Sequence, residues 1–506
     1  MGKRTGRPSH MRVTKRASVS GGYSEPGDVV AQRLFMIAVG VLLLAPLVCM
    51  PFAGADASQE KRELAPAPQL VVDGRLNSGF LSDAGDFFAD HFAFRSVMID
   101  VDATLKQTLF RTSATSNVVV GRRGWLYYAG TLDDYHRANT MSDHAILNAA
   151  TNVALMQETV ESRGKRFVFS VAPNKNTLFP ERMPYYELPG DGASNYERLL
   201  PLLREKGVHV VDLREPLLAG GPSLYYERDS HWNEEGALVA YRSITSALGG
   251  GRETFEGGEV VTTEHLGDVD GMLHPIFVRP EAQAHRPATD EYSMLGDAKS
   301  VEDAYIVTNS SSAAAQGNLL MYRDSFGNNL LGPFASSYRQ AVFTKLVPYD
   351  MGDEMVGFAQ DVVVERTERH LPFFASNPPY LMSPERAIAA EGTPTSSSTT
   401  LQRSAEGSYL AVRGTIDSGV ARESDRIFVE LTDAQGNPHV YEAFHVSAFE
   451  DELADTEDAQ KSEVSAELGD WGYCVYAPLA LFGEPESVSA RILTGDFAFA
   501  TQIYCS

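Results

Sequence analysis

Basic residues are scarce in this chain of 506: 43 Lys and Arg stand against 67 Asp and Glu, a formal net charge of −24. A phosphate backbone needs a basic face, so the charge argues against nucleic acid as a partner. The acidic surface otherwise speaks for solubility. Cysteine is scarcer still, with three residues. Cys49 falls in an apolar run, which leaves Cys474 and Cys505 as the only pair in the body. A disulfide between them is the expectation in an oxidising compartment; the alternative is two buried thiols acting as small hydrophobes. No His/Cys cluster has metal-ligand spacing, and Gly267-Asp268-Val269-Asp270-Gly271 is too short a match to a calcium loop. No metal is therefore expected, and there is no internal repeat.

Charge is absent from Leu34 to Ala55. Before that stretch, residues 1–33 carry Lys3, Arg4, Arg7, Arg12, Lys15, Arg16 and Arg33 against Glu25 and Asp28, the pattern of a disordered cationic tail. An apolar run near the ~20 residues of a membrane span, preceded by positive charge, predicts an anchor over 34–55. The tail then lies in the cytoplasm and the body is extracytoplasmic at the cell membrane. The rival reading is a cleaved signal peptide, because Ala53-Gly54-Ala55 resembles a small-residue cleavage site. Either one exports the body. Residues 56–79 are polar and then Ala/Pro-rich, a linker that holds the folded part off the bilayer.

From residue 80 to 378 the pattern is α/β. Asn117-Val118-Val119-Val120-Gly121 and Gly124-Trp125-Leu126-Tyr127-Tyr128 predict two strands joined by the tight turn Gly121-Arg122-Arg123-Gly124. Helical periodicity from Ile146 to Val160 precedes the strand Phe167–Val171, and Leu199–Leu203 precedes the strand Val208–Val211. Further strands are expected at Leu319–Tyr322, Ala341–Phe343 and Asp361–Val364. Strands that are apolar throughout and alternate with helices indicate a parallel sheet covered on both faces, with ligands bound beyond the carboxyl ends of its strands. Residues 379–402 read as a linker. Residues 403–506 change rhythm to short strands split by turns, an all-β module resembling a small sandwich. The acidic stretch from Glu450 to Asp458 reads as a solvated loop.

Chemistry concentrates in two segments, Asp229-Ser230-His231-Trp232 and Tyr322-Arg323-Asp324-Ser325-Phe326-Gly327. Together they supply the carboxylate, imidazole and hydroxyl of a serine acyl-transfer site. Ser325 falls where an apolar strand turns into a helix, a place that exposes a nucleophile and presents backbone N–H groups to an oxyanion. Taken singly each residue has a blander reading: Ser325 as a helix cap, His231 and Trp232 as a packed pair, Lys175 as a surface cation. Taken together they favour Ser325 as nucleophile, His231 as base and Asp229 as the group that orients it.

The motifs Asp229-x-His231-Trp232-Asn233-x-x-Gly236-Ala237, Asp324-Ser325-Phe326-Gly327, Phe87-Phe88-x-Asp90-His91-Phe92-x-Phe94-Arg95, Gly124-Trp125-Leu126 and Pro173-x-Lys175 resemble those of the bacterial DHHW proteins and the related alginate O-acetylation proteins. The resemblance runs from about Phe80 to Pro372. It implies an SGNH-hydrolase-like domain whose D-x-H pair precedes the nucleophile, with the three roles assigned as above. Arg323 stands where many SGNH enzymes have Gly, and would narrow the oxyanion pocket or lend it a cation. Ser230 stands where the DHHW signature has its second His, a position with no expected catalytic role. Oxyanion or substrate-binding candidates are Asn328, Asn329, Asn174 and Lys175, alongside Arg323. The implied function is O-acetylation of an exported or cell-wall polysaccharide, with an acyl (acetyl) donor and no bound cofactor. An MBOAT-type membrane protein is the implied partner that delivers the acyl group. An esterase using the same triad and a non-catalytic polysaccharide-binding or assembly protein are the alternatives.

Overall fold

A computed structural model of the chain describes residues 26–50, 64–72, 74–391, 401–416, 426–447, 471–485, 488–495 and 499–505. The cationic tail to residue 25, the Ala53-Gly54-Ala55 site, most of the Ser/Thr-rich part of the 379–402 linker and the acidic stretch from Glu450 lie outside these residues. The chain divides into two units, 1–98 and 99–506.

In the first unit a helix, Pro26–Cys49, runs through the apolar stretch and exposes Leu34, Phe35, Ile37, Leu42, Leu43 and Leu44. Among the described residues no helix is long and apolar enough to cross a membrane. A second helix, Phe80–His91, carries Phe87 stacked on His91 with ring centres 4.0 Å apart.

The second unit is built on a seven-stranded sheet. Its strands in chain order are β1 (Arg166–Ala172), β2 (Val210–Asp212), β3 (Tyr292–Leu295), β4 (Tyr305–Ser310), β5 (Asn318–Tyr322), β6 (Gln340–Thr344) and β7 (Asp361–Thr367), in the spatial order β2-β1-β7-β5-β6-β4-β3. β1, β2, β5, β6 and β7 are parallel, with Leu320 of β5 level with Val362 and Val342 on either side. These are the strands with buried runs such as Val362-Val363-Val364 and Leu319-Leu320-Met321, which only a sheet covered on both faces can hide. The wholly parallel sheet expected from the sequence is corrected at one edge, where β4 pairs antiparallel with β6 and β3 antiparallel with β4. β3 alternates half-buried and exposed residues, as an edge strand does, and β4 beside it buries Ile306 and Thr308 while exposing Tyr305 and Asn309.

One face of the sheet packs under the helix Asp143–Ser162, capped by Ser142, and the other under Glu234–Ala247 and Asn328–Ser337. The expected hairpin is present as Val118–Val120 and Leu126–Tyr128, with Arg123 and Gly124 at positive φ in its turn.

The C-terminal part contains a five-stranded and a four-stranded sheet. One buried cluster joins Leu410, Val412, Tyr473 and Val475 of the four-stranded sheet to Ile427, Val429, Leu431 and Ile492 of the other. The expected linker is shorter than 379–402: Ser383 accepts an N–H bond from Tyr476, Arg386 pairs with Glu442, and Ala389–Glu391 already forms a strand. Cys474 is buried on the face of strand Gly472–Pro478 with Tyr476, away from the core-facing Tyr473, Val475 and Ala477; the side chain of Cys505, the other half of the expected disulfide, lies outside the described residues. Asn152 links this part to the α/β domain, giving N–H bonds to the carbonyls of Phe374 and His445, each 2.8 Å, and accepting the His445 N–H.

Candidate active site

Three parallel strands end side by side and their next residues meet: Asn174 and Lys175 beyond β1, Asp324 and Ser325 beyond β5, Glu368 to His370 beyond β7. Asp324 sets the nucleophile turn. Its Oδ1 accepts the Phe326 N–H at 3.0 Å, and its Oδ2 accepts the Thr367 N–H at 2.7 Å and hydroxyl at 2.6 Å. Burial alone would raise this carboxyl, but His370, Arg366 and Arg369 hold it far below the usual range, so it serves as a fixed anion that locks the turn to β7. Gly327 is required by contact: a Cβ there would lie 2.6 Å from the Cβ of Arg323. Ser325, half-buried, begins the 3₁₀ turn Ser325–Gly327 that leads into Asn328–Ser337.

The Asp229–Trp232 segment arrives from below the helix Glu234–Ala247. Asn233 caps that helix by accepting the Gly236 N–H at 3.0 Å, and a Cβ on Gly236 would lie 2.3 Å from the Leu224 carbonyl oxygen. The spacing of Asn233 and Gly236 in the motif thus follows from a cap and a close backbone crossing. Trp232 donates its indole N–H to the Phe326 carbonyl at 3.1 Å and meets the Phe326 ring edge-on at 5.1 Å, tying the two motifs together.

The three expected residues converge. His231 Nε2 is 2.9 Å from Ser325 Oγ, and His231 Nδ1 is 2.7 Å from Asp229 Oδ1, which also accepts the His231 N–H at 2.8 Å. Burial works against a charged imidazole, but Asp229 and then Asp268 outweigh it, and His231 is raised above its ordinary value. Asp229 is itself held well below its ordinary value: burial would raise it, and His231 and His265 reverse the sign.

Two partners of this chain carry no sequence motif. His265 places Nε2 2.8 Å from Asp229 Oδ2, with its ring stacked on Tyr226 at 3.8 Å. Asp268 gives its N–H to the same oxygen at 3.1 Å, accepts the Ser230 hydroxyl at 2.7 Å, and stands 3.7 Å from His231 Nδ1. Ser230 Oγ lies 3.1 Å from that nitrogen, so it contacts the base after all. The ligand atoms of Asp229, His231 and Asp268 fall within 4.8 Å of one another. Each Asp229 oxygen already faces two nitrogen atoms within hydrogen-bond distance.

The remaining candidates lie near the site, and each makes bonds to the scaffold. Lys175 is 2% exposed, lies over the Trp125 ring, and gives Nζ to the carbonyls of Leu126, Glu227 and Asp229 at 2.7 to 2.9 Å. The Gly-Trp-Leu and Pro-x-Lys motifs therefore meet in one clamp beneath Asp229. Asn174 donates to Asp134 at 2.9 Å and accepts from Arg369 at 3.1 Å. Arg323 is fully buried and bonds the Val301 and Asp303 carbonyls and the Asn328 side chain. Asn329 gives its amide to the Trp232 carbonyl at 2.8 Å. The carboxyls of Asp134 and Glu368 are packed together, and burial followed by the Asp134 charge pushes Glu368 up to about 8.

Residues 118–315 match the family of the SGNH hydrolase-like domain of the acetyltransferase AlgX; this span holds Asp229 and His231 and ends before Ser325. Two curated relatives, both named "Probable alginate O-acetylase AlgJ", are similar to the chain. The protein from Pseudomonas syringae pv. tomato is 26% identical over 40% of this chain and 53% of its own length. The one from Pseudomonas aeruginosa is 24% identical over 61% of this chain and 84% of its own. The chain thus spans about half the length of the first of these relatives. Among solved structures, the O-acetyltransferase domain of Pseudomonas putida AlgJ covers 51% of this chain and 92% of that one at 20% identity, with a TM-score of 0.35. A DHHW family protein from Eubacterium siraeum covers 51% and 92% at 15% identity, with a TM-score of 0.38. The resemblance to the DHHW and alginate O-acetylation proteins is borne out: residues 118–315 match the SGNH hydrolase-like domain family, and the chain is similar to the AlgJ proteins.

Proposed function

We propose that the protein is a membrane-anchored, extracytoplasmic O-acyltransferase that acetylates an exported or cell-wall polysaccharide through an acyl-Ser325 intermediate. The observation that carries this reading is the unbroken chain Ser325 Oγ, His231, Asp229, with spacings of 2.9 and 2.7 Å. A serine hydroxyl is a weak nucleophile near neutral pH, so His231 Nε2 takes its proton as Oγ attacks the donor carbonyl. Asp229 keeps the other nitrogen protonated and stabilises the imidazolium. The tetrahedral oxyanion is received by the Ser325 N–H, which opens its turn without an acceptor within it, and by the start of the helix Asn328–Ser337. The imidazolium returns the proton to the leaving group, and the acyl-serine forms. A sugar hydroxyl then gives its proton to His231 and takes the acyl group, which regenerates Ser325.

The alginate O-acetylases among the relatives support a polysaccharide acceptor and an acetyl group. The uncharged stretch from Leu34 and the basic residues before it support the anchor, which places the site outside the cell membrane and calls for an MBOAT-type protein to hand the acyl group across. The test is an acceptor-dependence assay: with p-nitrophenyl acetate as donor, mass spectrometry should find acetylated oligosaccharide that depends on Ser325. Ester hydrolysis with no acetylated sugar would make the protein an esterase instead.

A further inference from the structure

Asp229 is gripped at both oxygens. Oδ1 accepts the His231 main-chain N–H and its Nδ1, and Oδ2 accepts His265 Nε2 and the Asp268 N–H. A carboxylate held at Oδ2 by the 3.1 Å Asp268 N–H bond alone has more freedom to pivot about its Cβ–Cγ bond and swing Oδ1 away from the imidazole. The Asp268 carboxylate, 3.7 Å from His231 Nδ1, stands ready to take its place in a wrong geometry. The shorter of the two bonds at Oδ2, 2.8 Å, comes from a histidine outside every motif, on the strand Val261–Leu266. The His265 ring lies flat on Tyr226, with planes 13° apart, and Tyr226 is three residues before Asp229 in the same segment. The imidazole is thereby aimed by the loop it holds.

We propose that His265 is a positioning residue of the acyl-transfer site: through Nε2 it fixes Oδ2 of Asp229 so that Oδ1 stays on His231. The inference rests on the acyl-serine reading above. With a proton on Nε2, His265 is a donor to the carboxylate. The structure around it leaves its ring edge partly open to solvent, with 29% of the side chain exposed, so its replacement leaves no cavity in the core.

The experiment measures the rate at which p-nitrophenyl acetate acylates Ser325, by intact mass, in the full chain. His265→Ala should slow acylation about 10- to 100-fold, what one hydrogen bond to a charged group is worth. His265→Gln, whose amide nitrogen reaches the place of Nε2, should restore most of the rate. In an Asp229→Ala background, His265→Ala should cost nothing further, since its partner is gone. A structural role alone would lower the rate equally in both backgrounds. Unchanged acylation in His265→Ala, no rescue by Gln, or additive losses would overturn the inference while leaving the acyl-serine reading intact. A wild type that does not acylate at all overturns both, and circular dichroism of each variant distinguishes slow chemistry from a misfolded chain.

Discussion

Replacing Lys175 by Met tests the clamp beneath the site. Its ammonium reaches three main-chain carbonyls, and only the charged form has three N–H groups to give. Burial works against that charge and, despite Asp229 and Glu281 nearby, pulls the group from its ordinary 10.5 down to about 7. The unfolded chain takes up the proton at the ordinary value. Between about pH 7 and 10 it therefore binds more protons than the folded chain, and this lysine makes stability rise with pH through that window. Over the full separation the effect is on the order of 4 to 5 kcal/mol. Met keeps the apolar stem against Trp125 but leaves three buried carbonyls without a donor, at about 1 to 3 kcal/mol each, offset by no longer burying a cation. The expected net loss is about 2 to 4 kcal/mol at neutral pH, growing as pH rises. Urea unfolding of wild type and Lys175→Met at pH 7, 8 and 9 reads this as a gap between midpoints that widens with pH. A gap that stays constant, or a variant as stable as wild type, would refute a buried ionisable amine at this position.

The raised His231 gives a second expectation: acylation rises with pH through a midpoint above the usual ~6.5, and Asp229→Asn moves that midpoint down while lowering the rate by about 10⁴, as read from a rate–pH profile. Gly327→Ala forces a Cβ to within 2.6 Å of Arg323, so the melting temperature should fall by an amount equal to about 1 to 3 kcal/mol and Ser325 labelling should fall with it. Asn152→Leu removes two bonds to His445 of the C-terminal sheets and one to Phe374 within the α/β domain, and calorimetry should show a loss of about 2 to 4 kcal/mol.

The legible part of the site is what a local pattern can carry. Ser325 was readable because the apolar strand Leu319–Tyr322 and the helix that follows define its turn, and Asp229 and His231 because they sit two residues apart before a capped helix. The same holds for β1, β5, β6 and β7, whose buried runs announce a central position. The antiparallel strands β3 and β4 were not legible, since each is partly exposed and neither carries a long apolar run. His265 and Asp268 escaped for another reason: their meaning lies in contacts with Asp229 across more than 30 residues, and Gly267-Asp268-Val269-Asp270-Gly271 on its own resembles only a loop. Lys175 and Arg323 show the limit of reading charge as exposure. Each is buried because a ring of carbonyls receives it, and carbonyls leave no mark on a sequence.

The central claim is that Ser325 is a nucleophile activated by His231. Its most direct test is intact mass spectrometry after brief exposure to p-nitrophenyl acetate, followed by peptide mapping. The account predicts one acetyl increment on the peptide holding Ser325, absent in Ser325→Ala, nearly absent in His231→Ala, and no lower in the double variant than in Ser325→Ala alone. An increment that persists in Ser325→Ala, or a folded wild type that takes up none, would contradict it.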